Sequence, residues 1–484
     1  MKEHARVNKR TSLLLKMFIA ASMVLTLTLS GCGQNDPQTD ALFGSAQTEQ
    51  TEQSDATEPT GQADATAQAS TDKNVLRVSY CYDFTYVDSA AVKYKMRHPG
   101  VEIIVTGYSN NYQKYVSQVS TALMAGTADD IFEVHGVNYK DPATVSLLSD
   151  FYPLMNADPD FNEGDHFTNV YKALEYKGGL YTFPASFAYQ MMAVNNRVSD
   201  KLVSDFARYD HVTMFDLINI YKNAGMGPGY YVNNSFDVIT AFLRVMDSFV
   251  DMESRTCDFN NQRFIDFLND VKNATEPEKK LGWSYGVYTY IAEEEAEKSK
   301  KYLLPQFSDS DYLYFLAFEE SSRFENPLPL TNEKGELIIE PLKSFCISEQ
   351  SENKELAWDF IKFMVDESDA SKTGNGDQMF LPSTPVNKQL FELGRRMDLK
   401  IDAAANGYLG QLGWHVKGDV DVQIQDTIEK ARELNNMPMY DGSAMSIMLY
   451  NIITEPLEQF NNGTMTAEQV AAEFQNKISL LLKE

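Results

Sequence analysis

KGGLYTFPASFAYQMMAVNN, residues Lys177 to Asn196, is the stretch whose reading decides the fold. Gly178 and Gly179 make a turn, and Leu180, Tyr181 and Phe183 begin an extended run. Pro184 interrupts it, because proline brings no N–H to a β ladder. Beyond the proline, Phe187, Tyr189 and Met191 alternate in a second β-favouring run that the turn-forming pair Asn195-Asn196 closes. Two short strands in line with a proline between them form a connection that bends at a defined point. An ordinary strand pair in a single-domain sheet fits the same residues, so the flanks must decide.

Upstream, Val75 to Tyr80 alternates as a strand, a short helical segment follows, and His98-Pro99-Gly100 turns the chain into a second strand, Val101 to Val105. Tyr115 to Met124 carries Val116, Val119 and Leu123 on one helical face, Gly126 stops it, and Asp130 to Val134 is a third strand. Strand and helix in alternation predict an α/β unit with a parallel sheet. Ligands of such sheets sit at the carboxyl ends of the strands. Those ends hold Tyr82, Asp83 and Phe84, then Tyr108 and Asn110, then Glu133 and His135. Flat aromatic faces beside short polar groups suit a polar, ring-shaped ligand. The same residues also fit sheet-edge aromatics and a structural histidine.

Downstream, helices are expected around Phe215–Ala224, Val238–Phe249 and Phe264–Val271. Leu281-Gly282-Trp283-Ser284-Tyr285 concentrates ring faces, which makes Trp283 and Tyr285 candidate stacking platforms or core aromatics. Tyr189 and Trp414 complete the candidate ligand contacts. Pro341 to Ile347 is a short apolar strand. A helix is expected from Ser351, with Glu352 and Glu355 in its first turn and Leu356, Phe360 and Phe363 on its buried face. Leu381 to Pro385 is another proline-marked extended passage. Thr466 and Gln469 form a capping box ahead of a last helix lined by Val470, Phe474, Ile478 and Leu481.

The chain begins with basic residues, an apolar run from Met17 to Leu29, and Leu29-Ser30-Gly31-Cys32. The run is too short to span a bilayer and ends in small residues, as a secretory signal does. Leu-Ser-Gly-Cys resembles the bacterial lipobox, which implies lipidation of Cys32, palmitate included, and anchoring on the extracytoplasmic face of the cell membrane. Residues 33–72 are rich in Gln, Thr, Ala, Asp, Glu and Ser with almost nothing apolar, the composition of a disordered tether. Its root-mean-square reach is roughly 35–40 Å. The remaining chain is too long for one core and long enough for two. With Lys+Arg 42 against Asp+Glu 69 and a net charge of -27, nucleic acid and anionic lipid are poor partners. Beyond Cys32, the cysteines Cys81, Cys257 and Cys346 are widely spaced, which fits buried thiols or one bridge, and no metal-ligand cluster or cofactor motif is written here.

Taken together, the chain resembles the extracellular solute-binding lipoproteins of ATP-driven (ABC) importers, in the maltodextrin-binding class. The resemblance rests on the lipobox, Ala125-Gly126-Thr127-Ala128-Asp129-Asp130-Ile131-Phe132, Gly179 to Pro184 with Asn195-Asn196, and Phe345 to Ser348 leading into Lys354 to Phe363. Met437-Pro438 and Asn461 to Gln469 complete it. It implies a two-lobed periplasmic-binding-protein-like fold of class II type with three hinge crossings, near Ala185–Met191, Lys343–Ile347 and Leu381–Pro385. On that reading the signal is 1–31 and the tether 32–73. The N-terminal lobe is 74–186 plus 347–383, and the C-terminal lobe is 187–346 plus 384–484. Tyr312 to Phe318, YLYFLAF, departs from the family's usual cleft-loop passage. The expected role is a monomeric, non-enzymatic carrier of a small solute, an oligosaccharide first, delivered to importer permease subunits. Peptides or polyamines are other cargoes, since Asp83 and Glu133 could meet amines. A surface glycosidase would need two flanking carboxylates, and neither a His-Glu-x-x-His motif nor a phosphate loop is present.

Overall fold

The computed structural model describes residues 74–81, 85–108, 111–134, 136–226, 229–232, 236–252, 254–275, 303–304, 306–308, 313, 316–317, 324–366, 383–404, 416 and 418–483. The signal, Cys32 and the tether lie outside the described residues. The first unit forms in the expected order: β1 (Val75–Tyr80), α1 (Thr85–Arg97), β2 (Glu102–Gly107), α2 (Tyr112–Ala125) and β3 (Ile131–Glu133). β1 pairs in parallel with both β2 and β3. Helix α2 buries Tyr115, Val119 and Leu123 and ends at Gly126, whose left-handed φ of 68° lets its N–H reach back to the Ala122 and Leu123 carbonyls. Short helices α3 (Pro142–Val145), α4 (Phe151–Ala157) and α5 (Thr168–Leu174) then lead to the opening stretch.

There the turn is as expected, with Tyr176 and Gly179 exchanging main-chain hydrogen bonds of 2.9 and 3.1 Å. The two short strands are instead one, β4, running from Phe183 to Asn195. Pro184 does not break it. The proline is the second residue, where a strand tolerates a missing N–H, and the neighbour on the far side joins only at Ser186 and Phe187. Toward its end β4 serves two interiors at once. Met191 and Ala193 belong to one apolar core, while Met192 and Val194 belong to another, as the two-residue period of a strand permits.

The second unit contains α6 (Asp200–Phe206), α7 (Met214–Asn223), α8 (Val238–Leu243), the hairpin β5 (Val250–Asp251) and β6 (Thr256–Cys257), and α9 (Gln262–Ala274). The helix expected over Val238–Phe249 stops at Leu243 and resumes as a short 3-10 turn at Met246–Ser248. Strands β7 (Gln306–Ser308) and β8 (Phe324–Pro329) pair with the far half of β4. β9 (Leu337–Ile347) then returns antiparallel to β4 and reaches β3, with Phe345 opposite Glu133. α10 (Lys354–Asp366) begins three residues later than expected, so only Glu355 is in its first turn. The chain continues through β10 (Thr384–Pro385), α11 (Lys388–Ala403), α12 (Val420–Asn435), β11 (Met439–Asp441), α13 (Ser443–Asn461) and α14 (Ala467–Leu481). The Thr466–Gln469 capping box is present in both directions, with Val470, Phe474 and Ile478 buried behind it.

Among the described residues the sheet order is β10-β4-β9-β3-β1-β2, with β11 on β9. The extended passages expected at the three crossings therefore lie side by side. Two apolar cores flank them. One contains Leu76, Phe132, Phe183, Trp358 and Ile428, and the other Phe206, Phe242, Phe264, Leu449 and Phe474. Helices α11 and α12, expected with the second lobe, bury Phe391, Leu399, Ile424 and Ile428 in the first core. The transfer to the second core comes at the junction of β11 and α13, between Ala444 and Met445.

Candidate binding site

The carboxyl ends of the parallel strands meet the returning strand β9 around Glu133. This last residue of β3 is buried, its Oε2 accepts the Cys81 N–H at 2.9 Å, and its main-chain carbonyl accepts the Tyr115 hydroxyl at 2.6 Å. Burial pushes the Tyr115 phenol far above its ordinary range, so it stays a donor. Tyr108 packs edge-on against the Tyr115 ring, with centroids 5.1 Å apart. From β9, Lys343 places Nζ 4.9 Å from the centroid of the Tyr86 ring. Burial pushes this ammonium down to about 8, against the attraction of the Glu133 charge. The Tyr86 hydroxyl donates to the Met364 carbonyl, which fixes the ring beneath the lysine.

Polar contacts also bind the crossings to each other. Ser383 Oγ donates to Ser186 Oγ at 2.9 Å, and Arg395 Nη2 donates to the Ser383 carbonyl at 3.0 Å. Asn169 Nδ2 donates to the carbonyls of Asn435 and Met437, at 2.8 and 2.6 Å. Asp441 closes β11 with a fully buried carboxylate that accepts from Tyr139 at 2.8 Å, Lys140 Nζ at 2.9 Å, and both the hydroxyl and N–H of Ser443 at 2.5 and 2.9 Å. Burial alone would raise its pKa, but the Lys140 charge and these donors outweigh burial and hold it below the ordinary carboxylate value. The loop after β3 is thus tied to the start of α13, which passes into the second core.

Of the candidate ligand contacts, Tyr82, Asp83, Phe84, Asn110, His135, Trp283, Tyr285 and Trp414 lie outside the described residues, as does most of the 312–318 passage. Glu133 stands at the strand ends, with its carboxylate engaged by a main-chain donor. Tyr189 is not on an open surface. It is 3% exposed, stacked on Phe187 at 6.2 Å, and its hydroxyl donates to Asn435 Oδ1 at 2.9 Å. Its alternation with Phe187 and Met191 also fits a core residue, as does its burial. Sequence reasoning passed over Lys343, Tyr86, Tyr139 and Asp441. For Lys343 the available signal was the one lysine in a strand that is mostly apolar.

Cys81 and Cys346 are buried and Cys257 is half-buried; burial pushes the Cys346 thiol up to about 12. Among the described residues no group of His, Cys, Asp and Glu could hold a metal ion, and no helix is long and apolar enough to cross a membrane. Gly282 to Gly286, GWSYG, has the Gly-x-Ser-x-Gly spacing of a nucleophile elbow. It too lies outside the described residues. A groove between α7 and α9 is lined by Phe215, Ile218 and Phe267, but the Arg263 guanidinium lies over the Phe215 ring at 4.1 Å and covers that face.

No curated protein matches the chain in sequence. In fold it is similar to the sugar-binding protein MalE from Xanthomonas citri, at 12% identity and a TM-score of 0.55 over 84% of this chain and 97% of that one. It is similar as well to a periplasmic oligogalacturonide binding protein from Yersinia enterocolitica, at 12% identity and a TM-score of 0.51 over 84% and 99%. An ABC substrate-binding protein from Listeria monocytogenes in complex with cycloalternan matches at 15% identity and a TM-score of 0.50 over 85% and 100%. These likenesses give the fold, that of the two-lobed periplasmic binding proteins. A family model of bacterial extracellular solute-binding proteins matches residues 89–390, more than half of the 484 residues, and the chain belongs to that family.

Proposed function

We propose that this protein captures an oligosaccharide between its two lobes and delivers it, unchanged, to the permease subunits of an ABC importer, while a lipid on Cys32 holds it at the extracytoplasmic face of the membrane. The observation that carries this reading is the pair of apolar cores joined by neighbouring crossing strands, in a chain of the extracellular solute-binding family. Two packed bodies on a shared strand bundle can close on a ligand as hinged domains do. The carbohydrate assignment is supported by the aromatic and short polar residues at the strand ends, and by the sugars that the three structural relatives are named for. The protein acts as a monomer.

A thermal-shift panel of oligosaccharides, peptides and polyamines tests the cargo. An oligosaccharide is expected to raise the melting temperature in proportion to its occupancy, and stabilisation by peptides or amines alone would overturn the carbohydrate reading. Sugar recovered afterwards should be chromatographically unchanged; turnover lost in Ser284→Ala or in a cleft-carboxylate variant would make the protein a hydrolase. Cys32→Ala should move it from the membrane fraction to the soluble one, and retention through a high-salt wash would overturn the lipid anchor.

A further inference from the structure

The chain outside the described residues enters the fold at Asn74, immediately before β1. Two main-chain hydrogen bonds set what it enters beside: the Glu102 N–H donates to the Asn74 carbonyl at 2.8 Å, and the Val101 N–H donates to the His98 carbonyl at 2.9 Å. The close of α1 and the entry of the outside chain therefore lie side by side at one end of the sheet. Helix α1 turns Val87, Ala90, Ala91 and Tyr94 to the first core. On its outward side Val92 and Met96 are 63% and 79% exposed, interleaved with Lys93, Lys95 and Arg97. In a chain of net charge -27, three cations within five residues, with no Asp or Glu from Ser89 to Val101, make a local exception. Cations in the last turn of a helix also suit its macrodipole. That accounts for Lys95 and Arg97, but not for two bare apolar side chains one turn apart. Of the neighbouring carboxylates, Asp88 accepts from the Tyr80 hydroxyl at 2.6 Å and Asp359 from the Tyr94 hydroxyl at 2.5 Å, while Glu102 is exposed at the foot of β2.

The outside chain supplies the complement to this face. Glu49, Glu52, Asp55 and Glu58 recur at every third residue, and Leu42-Phe43 are the only large apolar residues between Gly33 and Lys73. An extended chain with three residues per turn would present all four carboxylates along one edge. Glu58 precedes Asn74 by sixteen residues, a root-mean-square span of roughly 20–24 Å. The exposed face of α1 from Val92 to Arg97 is only about 8 Å long. The acidic segment is thus held within reach of the cations, at an effective concentration on the order of millimolar.

We propose that residues 42–58 dock on the outward face of α1, with the acidic ladder on Lys93, Lys95 and Arg97 and the Leu42-Phe43 pair against Val92 and Met96. Docking shortens the tether. Only residues 33–41 would then span freely from Cys32, roughly 15–18 Å against 35–40 Å for the whole segment. Because exposed ion pairs weaken as salt screens them, the body rides closer to the membrane at low ionic strength and farther from it at high. This rests on the tether and anchor of the proposed function but on no cargo, and its test removes the lipid. A failed anchor, a wrong cargo and a failed dock are thus separate results.

The test uses the full chain carrying Cys32→Ala and Cys257→Ser, with spin labels at Ala56→Cys in the acidic ladder and at Met124→Cys, a 75% exposed position near the end of α2. Docking should give a narrow short-distance component at low salt that is lost toward 1 M NaCl, where the screening length is about 3 Å. Reversing the face with Lys93→Glu, Lys95→Glu and Arg97→Glu should lower the ratio of docked to free chain about tenfold, as three exposed ion pairs allow. Reversing the ladder as well, with Glu49→Lys, Glu52→Lys, Asp55→Lys and Glu58→Lys, should restore the short component. Should the reversed α1 lose cooperative melting, Glu49→Gln, Glu52→Gln, Asp55→Asn and Glu58→Gln carry the same criterion, since they leave α1 untouched. Equal distributions in wild type and in these variants would overturn the proposal, as would a short component that grows with protein concentration and so comes from a second copy. Phosphatidylglycerol vesicles test the rival occupant. If they bind the Cys32→Ala chain through the three cations, and the label distance is never short in their absence, the face is a lipid contact and the proposal is overturned.

Discussion

Tyr189 and Asp441 show how single side chains are committed to the framework around the first core. Tyr189 packs its ring on Phe187 and donates to Asn435, itself fully buried. Tyr189→Ala should therefore cost about 3–5 kcal/mol of stability, as other buried aromatic truncations do, and Tyr189→Phe about 1–3 kcal/mol through the Asn435 oxygen left unpaired. Chemical denaturation of both variants checks this; an alanine variant as stable as wild type, with weakened sugar binding, would put the ring back in the cleft. Asp441 works through charge. Its carboxyl is held below the ordinary value, so its contribution is complete above the unfolded-state pKa of about 3.9 and drains as pH falls through the lower folded value. Asp441→Asn should cost about 3–5 kcal/mol at pH 7, nearer the lower figure because Lys140 keeps 20% of its side-chain exposure. The variant's stability curve should also lack the fall that wild type shows below about pH 4, and parallel acid limbs in the two proteins would contradict the assignment.

At the scale of elements, legibility followed locality. Caps and stops act within three or four residues, so Gly126 and the Thr466–Gln469 box could be read directly. β1 puts Leu76, Val78 and Tyr80 into the first core at every second position, and it too was plain. β4 was misread as two strands because the tolerance for Pro184 depends on where β10 joins, which is set by residues about 200 positions away. The start of α10 was missed by three residues for a similar reason. Ser351 Oγ is engaged by Asp130 Oδ1 at 2.5 Å, a long-range contact that holds the residue outside the helix. Lobe membership of α11 and α12 could not be read from their own stripes, since an amphipathic helix declares that it packs but not on what. The candidate site was legible only as a location, the strand ends. The residue seated there from β9, Lys343, comes from a crossing strand whose arrival at β3 is a tertiary fact.

For the whole molecule, the length of chain and the number of cores lead to the final prediction. Residues 33–72 carry almost nothing apolar, so a protein beginning at residue 74 should melt as cooperatively as the full chain and bind the same sugars. A compact body of that size has a radius of gyration of about 22 Å. On the proposed function, two cores set side by side along the crossings hold an open cleft between them, and such a body exceeds this value. Ligand that touches both lobes binds the closed form better and shifts the population by that difference in affinity, no more. Small-angle scattering on the truncated protein should therefore give a radius above about 22 Å that falls toward it as a stabilising oligosaccharide is titrated. The fall should saturate at the same concentration as the thermal shift, because both report one binding event. A radius unchanged at saturation would mean that the solute seats without closure, and the crossings would then be a rigid spine.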